Sequence, residues 1–94
     1  MTDLESRVGA RFRFDRVSVD DAGARYAVII GEGEAAWHTS ARLGVGVTVL
    51  DAFDPPAPEW AVEVARMLLK TIAKNHAPSA DWPRRVHRWR APRA

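Results

Sequence analysis

Apolar and polar residues alternate through "RFRFDRVSV" (residues 11–19), and the alternation slips phase once. Phe12 and Phe14 fall on one side of an extended chain. Val17 and Val19 fall on the other unless an extra residue is accommodated near Asp15–Arg16. A β-bulge or a bend there returns all four to a common face. "DDAG" (20–23) predicts a turn, because aspartate supplies local acceptors and glycine supplies positive φ. "RYAVII" (25–30) is aromatic and β-branched without a break, which predicts a central strand covered on both faces. "GEGE" (31–34) then breaks or extends that strand, and "AAWHTSA" leads towards the next.

"ARLGVGVTVL" (41–50) holds a period of two for nine residues. Read as one strand, it puts Ala41, Leu43, Val45, Val47 and Val49 on one face and Arg42, Gly44, Gly46 and Thr48 on the other. "DAFDPPAP" (51–58) ends the strand, since proline donates no backbone hydrogen bond, and leads into a helix, whose first turn tolerates proline. In "EWAVEVARMLLKTIAKNH" (59–76), Trp60, Ala61, Val64, Ala65, Leu68 and Ile72 recur at helical spacing, with Met67 and Leu69 widening the stripe. Acidic residues come first and basic ones last, which suits the helix dipole.

These elements predict an α+β fold with a three-stranded antiparallel sheet, β-β-β, over about 11–19, 25–34 and 40–50. One amphipathic helix over about 58–76 packs on one face, with Leu43, Val45, Val47 and Val49 meeting Val64, Leu68 and Ile72. A short basic C-terminal element over 79–94 completes a single domain spanning 1–94. That element, helix or strand, reads two ways. As a helix it brings Trp82, Val86 and Trp89 onto one stripe, with Pro83 in the first turn. As a strand it puts His87 and Trp89 on one face and Val86, Arg88 and Arg90 on the other. The helix unites the tryptophans and is the reading favoured here.

Ninety-four residues suffice for one core. The absence of cysteine removes disulfides and thiolate metal sites, and the N-terminus lacks the basic and apolar regions of a secretory signal, so a cytoplasmic protein is expected. No apolar stretch approaches membrane-spanning length. The net charge of +2 conceals an asymmetry: residues 1–58 carry six Arg against nine Asp/Glu, and residues 59–94 carry eight Lys/Arg against three Asp/Glu. Such a basic half either attracts the acidic half within the fold or serves an acidic partner.

Chemistry is sparsely signalled. His38, His76 and His87 lie far apart and lack metal-ligand neighbours at helical or turn spacing. In "WHTS" (37–40), His38 aligns with Ser40 and away from Thr39, without an orienting acid or oxyanion hole in view. Glu32 with Glu34, and Asp51 with Asp54, read as solvated strand edges rather than acid–base pairs. No enzyme activity, catalytic residue, cofactor, metal or small-molecule substrate is expected. The leading expectation is a binding or assembly module acting through the sheet face and the basic end, with a protein partner or a second copy in a homodimer. Its candidate contacts are Trp82, Arg84, Arg85, Arg88, Trp89, Arg90, Arg42, Gly44 and Gly46. Gly44 and Gly46 would leave a side-chain-free patch on which a tail indole or another copy could lie. The alternative is nucleic-acid binding, with these arginines and Arg93 on phosphates, the two tryptophans on bases, and Arg11, Arg13 and Arg42 extending the basic surface across the sheet.

Overall fold

The computed structural model describes residues 9–92, which form β1 (Ala10–Asp20), β2 (Gly23–Glu32), β3 (Ala35–Gly44), β4 (Val47–Leu50), α1 (Glu59–His76) and β5 (Arg85–Arg90). The class is α+β: one antiparallel sheet in the order β4-β3-β2-β1-β5, with one helix. The first four strands are joined by tight turns. The helix then carries the chain from the β4 edge to the opposite edge, where β5 pairs with β1. The sheet thus has five strands where the sequence pattern suggests three.

β1 bears out the phase argument. Its register against β2 shifts between Arg16 and Ser18, leaving Val17 unpaired, and Val19 returns to the side of Phe12 and Phe14, opposite Ala24. Both valines nevertheless stay exposed. The turn at 20–23 is fastened by Asp20, whose Oδ1 accepts from the backbone N–H of Ala22 at 2.8 Å and of Gly23 at 3.1 Å.

The expected single strand over 40–50 is two strands. β3 ends at Gly44, the chain reverses through Val45 and Gly46, and β4 returns with Val47 opposite Gly44. Gly46 takes a φ of 66°, which glycine allows at little cost. A two-residue turn does not interrupt a period of two, so the pattern could not reveal it. The reversal splits the five apolar residues: Ala41 and Leu43 are buried, Val45 sits at the tip, and Val47 and Val49 point away from the helix. Leu50 and Thr48, opposite Ala41 and Leu43, take the helix side instead.

α1 begins and ends where the periodicity places it. Pro58 precedes it, and the Pro58 carbonyl accepts from the N–H groups of Ala61 and Val62. Its buried stripe is Ala61, Ala65, Leu69, Ile72 and Ala73, rotated slightly from the expected one, and Met67 is exposed. Three alanines in that stripe let the helix backbone approach the sheet closely. At its N-terminal end, Trp60 packs edge-on against Phe12, with ring centroids 6.3 Å apart.

The C-terminal element is a strand, which overturns the favoured helical reading. β5 satisfies the outer edge of β1 from Ala10↔Arg90 to Asp15↔Arg85. A local helix would have left those β1 groups open to water or to another chain. Trp82, in the connection ahead of β5, is buried in the core with Phe12, Phe14, Tyr26, Val28, Ile30 and Leu69. The connection is pinned there: the Tyr26 hydroxyl donates to the Pro83 carbonyl at 2.6 Å, and Arg16 Nη1 donates to the Trp82 carbonyl at 2.9 Å. Burial of an indole of this size is worth on the order of 2–3 kcal/mol.

Candidate functional site

Helix α1 and Trp82 cover one face of the sheet; the other face has no covering element among the described residues. Directly paired residues in an antiparallel sheet share a face, so the register defines that open face row by row. The first row runs Trp89, Arg11, Gly31 and Ala36 across β5, β1, β2 and β3. The second is His87, Arg13, Ile29 and His38, and the third Arg85, Asp15, Ala27 and Ser40. Past the bulge, the fourth is Ser18, Arg25, Arg42 and Val49.

These rows bring five arginines, two histidines and a half-exposed tryptophan onto one surface, against Asp15 as the only carboxylate in them. Between the cations lie Gly31, Ala27 and Ala36, which carry little or no side chain, and the apolar Ile29. Asp15 is shared: its carboxylate accepts from Arg13 Nε at 2.9 Å and Arg85 Nε at 2.8 Å, joining β1 to β5. Partial burial acts to raise the Asp15 pKa, but the hydrogen bonds from Arg85 and Arg13 and their charges outweigh it and hold the carboxyl below its ordinary value. Arg11, Arg25 and Arg42 form no ion pair among the described residues.

Of the residues singled out by sequence, the structure gathers Arg42, Arg85 and Trp89 on the open face, with Arg11 and Arg13. Arg88 and Arg90 lie on the helix side of β5 and are solvent-exposed, each guanidinium bonded to the carbonyl of the preceding residue. Arg84 precedes β5, and its carbonyl accepts from the Arg16 N–H. Trp82 is 4% exposed and unavailable to a partner, so the two tail tryptophans are not one stripe. Arg93 lies outside the described residues.

Gly44 and Gly46 do not form a mid-strand patch under a tail indole. Gly44 is at the base of the β3–β4 turn and Gly46 is within it, three strands from β5. His38 and Ser40 share the open face as expected, and Thr39 points the other way, bonding the Ala52 carbonyl. Ser40 donates to Asp51 Oδ2 at 2.9 Å. Among the described residues no three His, Asp or Glu side chains cluster as metal ligands would.

Sequence reasoning missed Arg25, Ala27 and Ile29, because "RYAVII" reads as covered on both faces. Only Tyr26, Val28 and Ile30 are fully covered. Arg25, standing at the outward phase of that run, was the signal that could have shown it.

Comparison with protein-family models, with curated proteins and with solved structures found no match.

Proposed function

We propose that this protein is a non-enzymatic binding module that takes single-stranded nucleic acid on the open face of its sheet. The observation that carries the reading is the chemistry of that face: Arg11, Arg13, Arg25, Arg42 and Arg85 beside Trp89, with the carboxylates Asp15, Asp20 and Asp51 in the minority and each already holding a hydrogen bond. A sheet face used only for solubility mixes the two signs of charge more evenly. Same-face residues along a strand are spaced by about 6.6 Å, so Arg11 and Arg13 are spaced comparably to successive phosphates of an extended strand. Trp89, directly opposite Arg11, offers an indole face to a base while Arg11 meets the adjoining phosphate.

The test is fluorescence anisotropy with short mixed-sequence oligonucleotides across a salt series. Binding that weakens linearly in log–log form as salt rises, and weakens further in Arg11→Gln/Arg42→Gln, supports the reading. Absence of binding at low salt overturns it.

A second reading, a homodimer or a protein partner, is favoured by β4. This short strand is the sheet's other edge, and Val47 and Val49 are exposed on it. Light scattering at twice the chain mass, with the open face still accessible to oligonucleotide, would favour assembly through β4.

A further inference from the structure

We propose that Arg25 and Arg42 form an oxyanion site for a phosphate monoester, at one end of the open face. The two residues are direct cross-strand partners on β2 and β3, and both are exposed. Like charges placed directly opposite one another in a sheet are destabilising, and neither arginine has an acidic partner among the described residues. An anion seated between the guanidinium groups converts that repulsion into two charge-assisted contacts, each capable of fork-like hydrogen bonding.

The surroundings are shaped for a ligand of that size. A groove of about 390 Å³ runs beside the pair, lined by Ser18, Asp20, Gly23 and Gly44 as well as the arginines. Ser18 stands directly opposite Arg25 on the far side from Arg42, so one row supplies a hydroxyl and two guanidiniums. Gly23 and Gly44 are held close for a steric reason. A Cβ on Gly23 would collide with the Leu43 carbonyl, and one on Gly44 would collide with the Ala22 carbonyl. The two hairpin turns therefore lock backbone to backbone and close the end of the groove. Asp20 is the one carboxylate among the lining residues, and its Oδ1 is already engaged by the N–H groups of Ala22 and Gly23.

A monoester carries a charge of about −1.5 to −2 at neutral pH, which suits two unpaired arginines better than a singly charged diester. The source is either the terminal phosphate of a strand lying on the open face or a small phosphorylated molecule. The first source rests on the proposed function; the site itself does not.

The experiment is a ¹⁵N–¹H titration of the full chain with inorganic phosphate at constant ionic strength. It is followed by binding of one oligonucleotide with and without a terminal phosphate. Saturable shifts confined to Ser18, Gly23, Arg25, Arg42 and Gly44, absent from a well-dispersed Arg25→Gln/Arg42→Gln spectrum, are expected. Non-saturating or scattered shifts overturn the site, whatever the oligonucleotide does. A terminal phosphate should tighten oligonucleotide binding several-fold in the wild type and not in the double variant. Saturation by phosphate without that advantage keeps the site and assigns it to a small phosphorylated molecule. Saturation by phosphate with no oligonucleotide binding of any kind keeps the site and removes the nucleic-acid reading. Arg25→Gln alone guards against a double variant that fails to fold, and it should weaken the phosphate shifts without abolishing the fold.

Discussion

β1 and β2 present two opposite chemistries from one stretch of backbone. On the helix side, Phe12, Phe14, Tyr26, Val28 and Ile30 are sealed from solvent, and no polar or charged residue among those described is buried with them beyond the Tyr26 hydroxyl. That hydroxyl reaches the Pro83 carbonyl. One residue away in each case, Arg11 and Arg25 stand exposed, and Arg13 and Asp15 are half-buried in an ion pair. The covered face is specified by volume and by exclusion of unpaired polar groups, so its residues answer for stability. The open face is under neither constraint, and its composition is free to answer to a partner. Apart from the pairs at Asp15, the excess of arginine there adds nothing to folding and costs some self-repulsion, most plainly where Arg25 faces Arg42.

The contrast breaks most sharply at Trp82. Trp82→Ala removes an indole from the core and loosens the connection that leads into β5, so the expected loss is about 3–5 kcal/mol. In thermal unfolding this is a fall in Tm of roughly 15 °C or more for a chain of this size. Urea denaturation measures it directly. A loss under about 1 kcal/mol would mean that the C-terminal segment is not part of the core's cover. Trp89→Ala serves as the counterpart: the same residue type, seven positions on, should change stability by well under half as much and should weaken oligonucleotide binding instead.

Tyr26 sharpens the comparison from the covered side through pH. Burial pushes its pKa up to about 12, only partly opposed by the Arg16 charge. The unfolded chain releases that proton near 10. A phenol whose folded pKa is raised contributes stability that is intact below pH 10 and is lost as pH climbs towards 12. The chain has a single tyrosine, so tyrosinate absorbance reports this group alone. Alkaline unfolding over that window should be cooperative with the absorbance change. Tyr26→Phe should lower stability at neutral pH by about 1 kcal/mol, since the Pro83 carbonyl loses its partner, and should flatten the alkaline loss. An absorbance midpoint near 10 with the fold intact would contradict it.

How far these faces could be read in advance depends on the range of the interactions that make them. Phe12 and Phe14, the bulge beside Arg16, and the helix from Glu59 to His76 are local patterns and were legible. The turn at Val45–Gly46 was not, because a two-residue reversal preserves the alternation on either side. The tail shows the larger limit. Trp82, Val86 and Trp89 are spaced for a helix, but an unpaired β1 edge some seventy residues earlier decides in favour of a strand. No local window contains that fact. The same long-range pairing sends Trp82 inward and Trp89 outward. Arg42, Arg85 and Trp89 were therefore identifiable as candidates, while their assembly with Arg25 into one surface was not.

Arginine-to-glutamine changes probe the open side. Arg11→Gln and Arg42→Gln should each leave stability within about 0.5 kcal/mol of the wild type. If each arginine meets one phosphate, each change should lower the magnitude of the salt slope for single strands by about 0.7. Arg42→Gln should even stabilise slightly, by relieving its repulsion with Arg25. A loss of more than about 2 kcal/mol from either change would show that the open face is part of the packed structure and would erase the division drawn here.

A further small effect is expected at Asp15, and it is the most discriminating because the two properties move in opposite directions. Its carboxylate is the counter-ion of both Arg13 and Arg85, and its pKa lies below the ordinary value. Its contribution to stability is therefore present above the unfolded pKa of about 3.9 and is lost as pH falls through the depressed folded value. All three side chains are partly in water, so that contribution is under about 1 kcal/mol, and Asp15→Asn should remove it and make stability less dependent on pH below 4. The same change deletes the only carboxylate in the four rows of the open face and frees two guanidiniums. Oligonucleotide affinity at low salt should consequently rise while stability falls. If affinity falls together with stability, the Arg13–Asp15–Arg85 arrangement is itself part of the binding surface, holding its arginines in place for the ligand rather than neutralising them.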